Sequence, residues 1–294
     1  MRPSVYVVFM TSIALFAAAC HTDHRIGRAI RTAEDRKQDS LLNNAATVGP
    51  VRDTTLTIAT SRASKSSRTK SGTYAYPTAL TELPAGLRSE VAGIDVSHWD
   101  GKISWPDVSS EGIRFVYIKA TEGLKYVDPA FAANWAGAGK TPLHRGAYHY
   151  FLPRLAVSQQ VIQANNFIRT VKALDEGDLP PMIDFEDDPE ISPELLQTRL
   201  FTFINEIEAW FRVTPIIYTS KGLYKKYLSW HNSFQHYEIW IAAYAFQRPE
   251  LCDKRIMRIW QFTDKATIKG IPSRVDMNVF YTNSEDLKKL IIKK

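Results

Sequence analysis

From residue 91 onward, short apolar runs alternate with longer stretches in which apolar side chains recur every three or four positions. The runs fall at 91–97, 115–121, 146–151, 182–186 and 215–219. Each is a strand-length block rich in Val, Ile, Tyr or Phe, and each predicts a strand. Between them the spacing predicts helices beginning at Asp128 and running over 158–174, 192–212 and 222–227. The pattern over 192–212 is the clearest. Leu195, Leu196, Leu200, Phe203, Ile204, Ile207 and Phe211 hold a three-to-four spacing, so one face packs inward. Ser192 and Pro193 ahead of them supply a cap and a first-turn proline. Then the helical spacing stops. Residues 239–244, 258–262 and 274–280 predict three more strands joined only by loops. Strand–helix alternation predicts a parallel sheet covered by helices, and eight strands in this length predict a small closed α/β barrel.

The first ninety residues have a different texture. Met1-Arg2 is followed by a mostly apolar run that ends at Cys20. It is shorter than the ~20 residues of a membrane span and suits an export leader. Ala17, Ala18 and Ala19 before Cys20 resemble the cleavage box of a bacterial lipoprotein, in which the cysteine becomes the first residue and carries lipid. The bulky aliphatic residue usual three places before the cysteine is Ala17 here. Ordinary cleavage after Ala19, or an uncut anchor, are the alternatives. Residues 21–88 are dominated by Ser, Thr, Arg and Lys, with Tyr74 and Tyr76 as their aromatics. Such a segment buries too little apolar surface to offset its ordering entropy, and it reads as a tether. The expected organisation is a leader over 1–20, a tether over 21–88 and a single barrel over 89–294.

Charge follows the same division. The net charge is +6, but residues 1–90 hold 12 Lys and Arg against 7 Asp and Glu. The remainder is close to neutral and carries no electrostatic footprint for nucleic acid. With Cys20 at the leader's end, Cys252 is expected to be a lone thiol packed as a small apolar residue. No disulfide framework follows from two cysteines so placed.

Chemistry-bearing residues gather at the C-terminal ends of the predicted strands, where barrels of this class keep their sites. Asp95 ends the first; Lys119, Thr121 and Glu122 the second; His149 and Tyr150 the third; Asp184 and Glu186 the fourth. Tyr218, Tyr244 and Gln261 end the next three, and Asp276 and Asn278 lie on the last. Asp184 and Glu186 are two apart in a strand, so they share a face, about 6.6 Å apart along the backbone. Paired carboxylates divide acid–base work, because the field of one raises the pKa of the other. Glycoside hydrolysis needs that division. The alternative for the pair alone is an acidic loop, since Asp187, Asp188 and Glu190 continue the run.

Seven motifs then occur in order. They are Gly93-Ile-Asp-Val-Ser-His-Trp99, Val116-Tyr-Ile-Lys-Ala-Thr-Glu-Gly123, Gly146-Ala-Tyr-His-Tyr150 and Pro181-Met-Ile-Asp-Phe-Glu186, followed by Trp240-Ile-Ala-Ala-Tyr244, Trp260-Gln-Phe-Thr263 and Val275-Asp-Met-Asn278. Together they resemble glycoside hydrolase family 25, the lysozymes (muramidases) that cut peptidoglycan between N-acetylmuramic acid and N-acetylglucosamine. The resemblance spans about residues 91–281. It implies a flattened, TIM-like barrel of five β/α units closed by three strands. It also implies Glu186 as catalytic acid, Asp184 as its partner, and Asp95 and Asp276 as the other site acids. Tyr148, Tyr218, Trp240 and Tyr244 resemble the aromatic positions lining the sugar groove, with Lys119, Glu122, Gln261 and Asn278 as further substrate contacts. Core packing is the expectation for Trp105, Trp135 and Trp210. Phe185 and the groove aromatics are expected to bury Glu186 partly and keep it protonated. Family members often have Gly before the Val-Asp-x-Asn motif, where this chain has Pro272-Ser-Arg274.

Three alternatives stand beside that reading. A chitinase-like hydrolase would carry Asp-x-Asp-x-Glu, but the first position is Met182. A wall-binding barrel without turnover would not need all four acids. A metal-dependent hydrolase would need ligand spacing that no His pair supplies. The expectation is therefore no cofactor and no metal. The expected partners are peptidoglycan strands and a membrane reached through lipid on Cys20, and the chain is expected to be monomeric and exported to the cell envelope.

Overall fold

The structure is a computed structural model, and it describes residues 76–88, 91–281 and 284–293. The leader, Cys20 and most of the tether lie outside the described residues. The strands are β1 (Val91–Val96), β2 (Phe115–Glu122), β3 (Tyr126–Val127), β4 (His144–Tyr150), β5 (Met182–Phe185), β6 (Ile216–Ser220), β7 (Ile239–Ala242), β8 (Ile259–Ala266) and β9 (Val275–Phe280). The helices are α1 (Trp105–Ser110), α2 (Phe131–Ala138), α3 (Val157–Val171), α4 (Pro193–Phe211) and α5 (Ser284–Leu290), with a single turn at Ala85–Arg88. A further turn at Lys221–Leu223 runs on as the π-helical Tyr224–Leu228.

The strands form one sheet in the order β1-β9-β8-β7-β6-β5-β4-β2-β3, and β1 also pairs β2. That last pairing closes eight strands into a barrel and leaves β3 as an extra strand on β2. The expected TIM-like barrel of five β/α units is thereby corrected. Strand β9 runs antiparallel to both of its neighbours, β8 and β1. A loop too short to hold a crossover helix joins β8 to β9, so the chain doubles back. The crossovers are also unequal, from the 19 residues of α4 to the short turn after β6.

Local chemistry explains the elements. Ser192 accepts from the Leu195 amide at the start of α4, and Arg212 ends the helix in the left-handed conformation. Strand alternation then sorts side chains into two cores. Phe115, Tyr117, Tyr148, Met182, Ile216, Tyr218, Trp240 and Phe280 fill the barrel interior. Val116, Ile118, Ile183, Phe185, Ile217 and Ile241 face α3, α4 and the other covering helices. Interior aromatics need room opposite them. A Cβ on Gly93 would overlap the Phe115 ring, and one on Gly146 the Tyr117 ring.

Several side chains depart from expectation. Trp210 is 56% exposed, because the inward face of α4 is already filled by Leu196, Leu200, Phe203, Ile204 and Ile207. Its indole instead donates to the Lys172 carbonyl at 2.8 Å. Trp105 is buried, whereas Trp135 is half-buried under the Arg145 guanidinium. Cys252 is exposed and does not pack as an apolar residue. The packed part also reaches back past the expected boundary at 89. Leu83 is fully buried in the outer core, and Tyr76 is buried against the barrel.

Candidate active site

Asp95 lies near the C-terminal end of β1, directly across from Asp276 on β9. It is half-buried, and two amides hold it. Asn278 Nδ2 donates to its Oδ2 at 2.7 Å, and Gln261 Nε2 donates to the same oxygen at 3.0 Å. Those amides have no choice of orientation. Tyr218 donates to Gln261 Oε1 at 2.9 Å, Tyr244 donates to it at 3.3 Å, and Trp240 Nε1 donates to Asn278 Oδ1 at 3.0 Å. With both carbonyl oxygens taken by donors, both NH₂ groups turn toward Asp95. Even so, burial pushes the Asp95 carboxyl up to about 6, with Asp100 and Glu186 adding like charge.

Asp184 lies on β5, in register with Tyr150 of β4 and Tyr218 of β6. It is buried, and burial pushes its carboxyl well above the usual range. Glu186 adds to this through its charge and through a hydrogen bond, while Lys119 opposes it. The two carboxyls therefore meet, and the 6.6 Å backbone spacing does not set their separation. Glu186 itself stands just past the strand end and is exposed. Phe185 does not cover it, because alternation sends that ring to the helix side, edge-on to Phe151 and Tyr227. The pair thus holds its proton more tightly than a free carboxyl does, with Asp184 inside and Glu186 as its hydrogen-bonded neighbour at the surface.

Beside Glu186 a cleft of about 500 Å³ opens between Tyr150, Glu186, Asp187, Asp188, Tyr218, Ser220, Lys226 and Ala242. The acidic run is not all one thing. Asp188 is an anchor: Lys226 and the Tyr227 hydroxyl bind it at 2.7 and 2.6 Å and hold its carboxyl at about 2. Lys119 pairs Glu122 at 2.7 Å and lies over the Tyr150 ring. Tyr148 and Tyr218 are buried, and burial and the nearby carboxylates raise both phenols. Trp240 is 0% exposed, so it forms the floor under the cleft and its faces meet Tyr117 and Tyr218. Tyr244 is half-buried at the rim. His149 and Thr121, at the same strand ends, face outward. They bond to each other at 2.7 Å, and the imidazole stacks on Phe203. Burial lowers that imidazole to about 3, so it is a neutral core group.

Tyr150, named from the end of the third strand, lines the cleft. One residue beside the site had no signal in the sequence. Asp100 caps the turn after β1, accepting from the Ser97 amide at 2.8 Å and from Ser273 Oγ. Among the described residues, no group of three or more His, Cys, Asp and Glu is placed to hold a metal ion.

Buried and exposed carboxyls in contact, at the mouth of a barrel lined with tyrosines, suit proton transfer to a glycosidic oxygen. The fold and site define a glycoside hydrolase. The sequence profile of glycosyl hydrolases family 25 matches residues 94–271, and the chain belongs to that family. It is 37% identical over 206 residues to the Escherichia coli (strain K12) protein YegX, covering 68% of this chain and 73% of that one. It is 33% identical over 223 residues to Lysozyme M1 of Streptomyces globisporus, covering 72% and 75% of the two chains. The bacterial lysozyme of Streptomyces coelicolor superposes with a TM-score of 0.64 at 31% identity, over 69% of this chain and 97% of that one.

Proposed function

We propose that this chain is a muramidase that hydrolyses the β-1,4 bond between N-acetylmuramic acid and N-acetylglucosamine in peptidoglycan. The single observation behind the reading is the carboxyl pair: Asp184, buried and pushed up, hydrogen-bonded to Glu186 at the open cleft. Glu186 is the general acid. It faces the cleft, and the proton that the pair retains passes through it to the leaving oxygen. The charge left behind, with Asp95 and Asp276, favours the positive sugar ring of the transition state. Asp184 Oδ1 is buried without a hydrogen-bond partner, and the N–H of a bound 2-acetamido group would supply one. Tyr218 lines the cleft beside Tyr150, while Tyr148, Tyr244 and the Lys119–Glu122 pair lie near the site carboxyls. Trp240, Gln261 and Asn278 act from below by holding Asp95. The test is mass spectrometry of products from purified peptidoglycan. Muramic acid at the new reducing ends is the expected result; glucosamine there would make the enzyme a glucosaminidase, and cleavage of chitin oligomers alone would make it chitinase-like.

The leader and tether support a place for this activity. Cys20 carries lipid, the chain between it and the barrel acts as a tether, and the barrel works as a monomer in the cell envelope. The supporting observation is the small-residue run before Cys20, followed by a tail with no other apolar stretch. Cys20→Ser should leave the exported protein soluble on fractionation. A variant that stays with the membrane would point to an uncut leader.

A further inference from the structure

Ahead of the barrel, Tyr76 reaches the rim of the cleft. Its hydroxyl donates to Asp264 Oδ1 at 2.9 Å, and its ring lies 5.2 Å from that of Tyr244, tilted by 40°. Tyr76 is only 7% exposed. Asp264 is itself held, with Lys265 Nζ 3.2 Å from its other oxygen. Tyr244 lies beyond the end of β7, where strand pairing no longer fixes the chain. Its hydroxyl meets Gln261 Oε1, and the Gln261 amide meets Asp95. A continuous line of contacts therefore runs from the pre-barrel segment to a carboxylate of the site. The family match begins at residue 94, so Tyr76 lies outside it.

We propose that Tyr76 is a positioning residue for the glycosidase site: it clamps Tyr244 at the cleft rim and, through Tyr244 and Gln261, sets Asp95. The inference rests on the muramidase reading above. Two features set its size. Tyr218 holds the same Gln261 oxygen at 2.9 Å, so loosening Tyr244 weakens the amide without releasing it. An aromatic pair of this kind corresponds to roughly a two- to tenfold effect. A residue that served stability alone would change the melting temperature and leave the kinetics of the folded enzyme untouched.

The test compares the full chain with Tyr76→Leu, which fills the space without a ring face, and Tyr76→Phe, which keeps the ring. Glu186→Gln is the inactive control, and soluble glycan fragments are the substrate, well below each melting temperature. Tyr76→Leu should lose roughly two- to tenfold in kcat. Its acid limb should move to higher pH, because a looser Gln261 favours the Asp95 carboxylate less while Asp100 and Glu186 are unchanged. Tyr76→Phe should restore most of the rate and the original limb. If Tyr76→Leu does not fold, Tyr76→Met fills the same space and is judged the same way. An active wild type beside a Leu or Met variant with unchanged kcat, KM and acid limb overturns the inference alone. A wild type that does not cut glycan overturns the muramidase reading, and this inference with it.

Discussion

Asp184 and Glu186 show how far two residues can be read from their spacing. Period two places them on one face, and they are in contact there. Which of them is buried follows from where β5 stops. Asp184 is inside the barrel mouth, and Glu186 is one residue past the strand. Glu186→Gln keeps the shape and removes the transferable proton. General acid catalysis contributes ~10²–10⁴-fold, so kcat should fall by at least about a hundredfold while wall fragments still bind. Single-turnover assays with circular dichroism check this, and an unchanged rate would remove Glu186 from the role. Asp184→Asn should also lose activity, and the basic limb of its rate–pH profile should move to lower pH because one repelling charge is gone. An unmoved limb in an active variant would mean that the two carboxyls do not share the proton.

At the scale of elements, the segment 76–88 is the instructive case. Its polarity makes it read as tether, yet Leu83 is fully buried and Tyr76 is pinned by Asp264. Leu80, Leu83 and Leu87 do stand three and four apart and pack on the core, but so short a run in a polar stretch, interrupted by Pro84, does not stand out as an element. A chain beginning at Ser89 should therefore be less stable than the full chain. Full burial of one Leu contributes about 1.5–3 kcal/mol, which sets the expected loss. Urea unfolding midpoints measure it, and equal midpoints would show that the segment adds nothing. The regular elements were legible. The α4 stripe, its Ser192 cap and all eight barrel strands follow from apolar spacing. Strand β3 and helices α1 and α5 did not, being too short to show a period.

At the scale of the whole molecule, closing the barrel concentrates acids in one buried place, and the fold bears a cost for it. Asp95 has a folded value of about 6 against 3.8 for the free group. The folded protein therefore holds that proton more tightly than the unfolded chain. The resulting stabilisation is present below about pH 4 and is lost as pH rises through 6, by up to about 3 kcal/mol. Asp184 acts in the same direction. Asp95→Asn should flatten the fall in melting temperature between pH 4 and 6 and should also lower activity. Parallel melting curves for variant and wild type across that range would show that Asp95 is not charged at this expense.

The sequence alone determined which acidic and aromatic residues stand on the barrel strands and near their ends. Alternation and helical spacing are local, and local order along the chain is enough to put Asp95, Asp184 and Glu186 at the C-terminal ends of their strands; Asp276, near the start of β9, reaches the same mouth only because that strand runs antiparallel. Tertiary structure decided what depends on contacts between distant segments. The β8–β9 reversal makes the closed barrel one with an antiparallel strand instead of a TIM-like one. Closure puts Trp240 beneath the cleft and not on its wall, and sends His149 to the outer core. The Gln261 and Asn278 amides face Asp95 because Tyr218, Tyr244 and Trp240, each far away in sequence, donate to their carbonyls. No local pattern encodes such a choice, since an amide has two ends of nearly equal size and only its neighbours in space tell them apart.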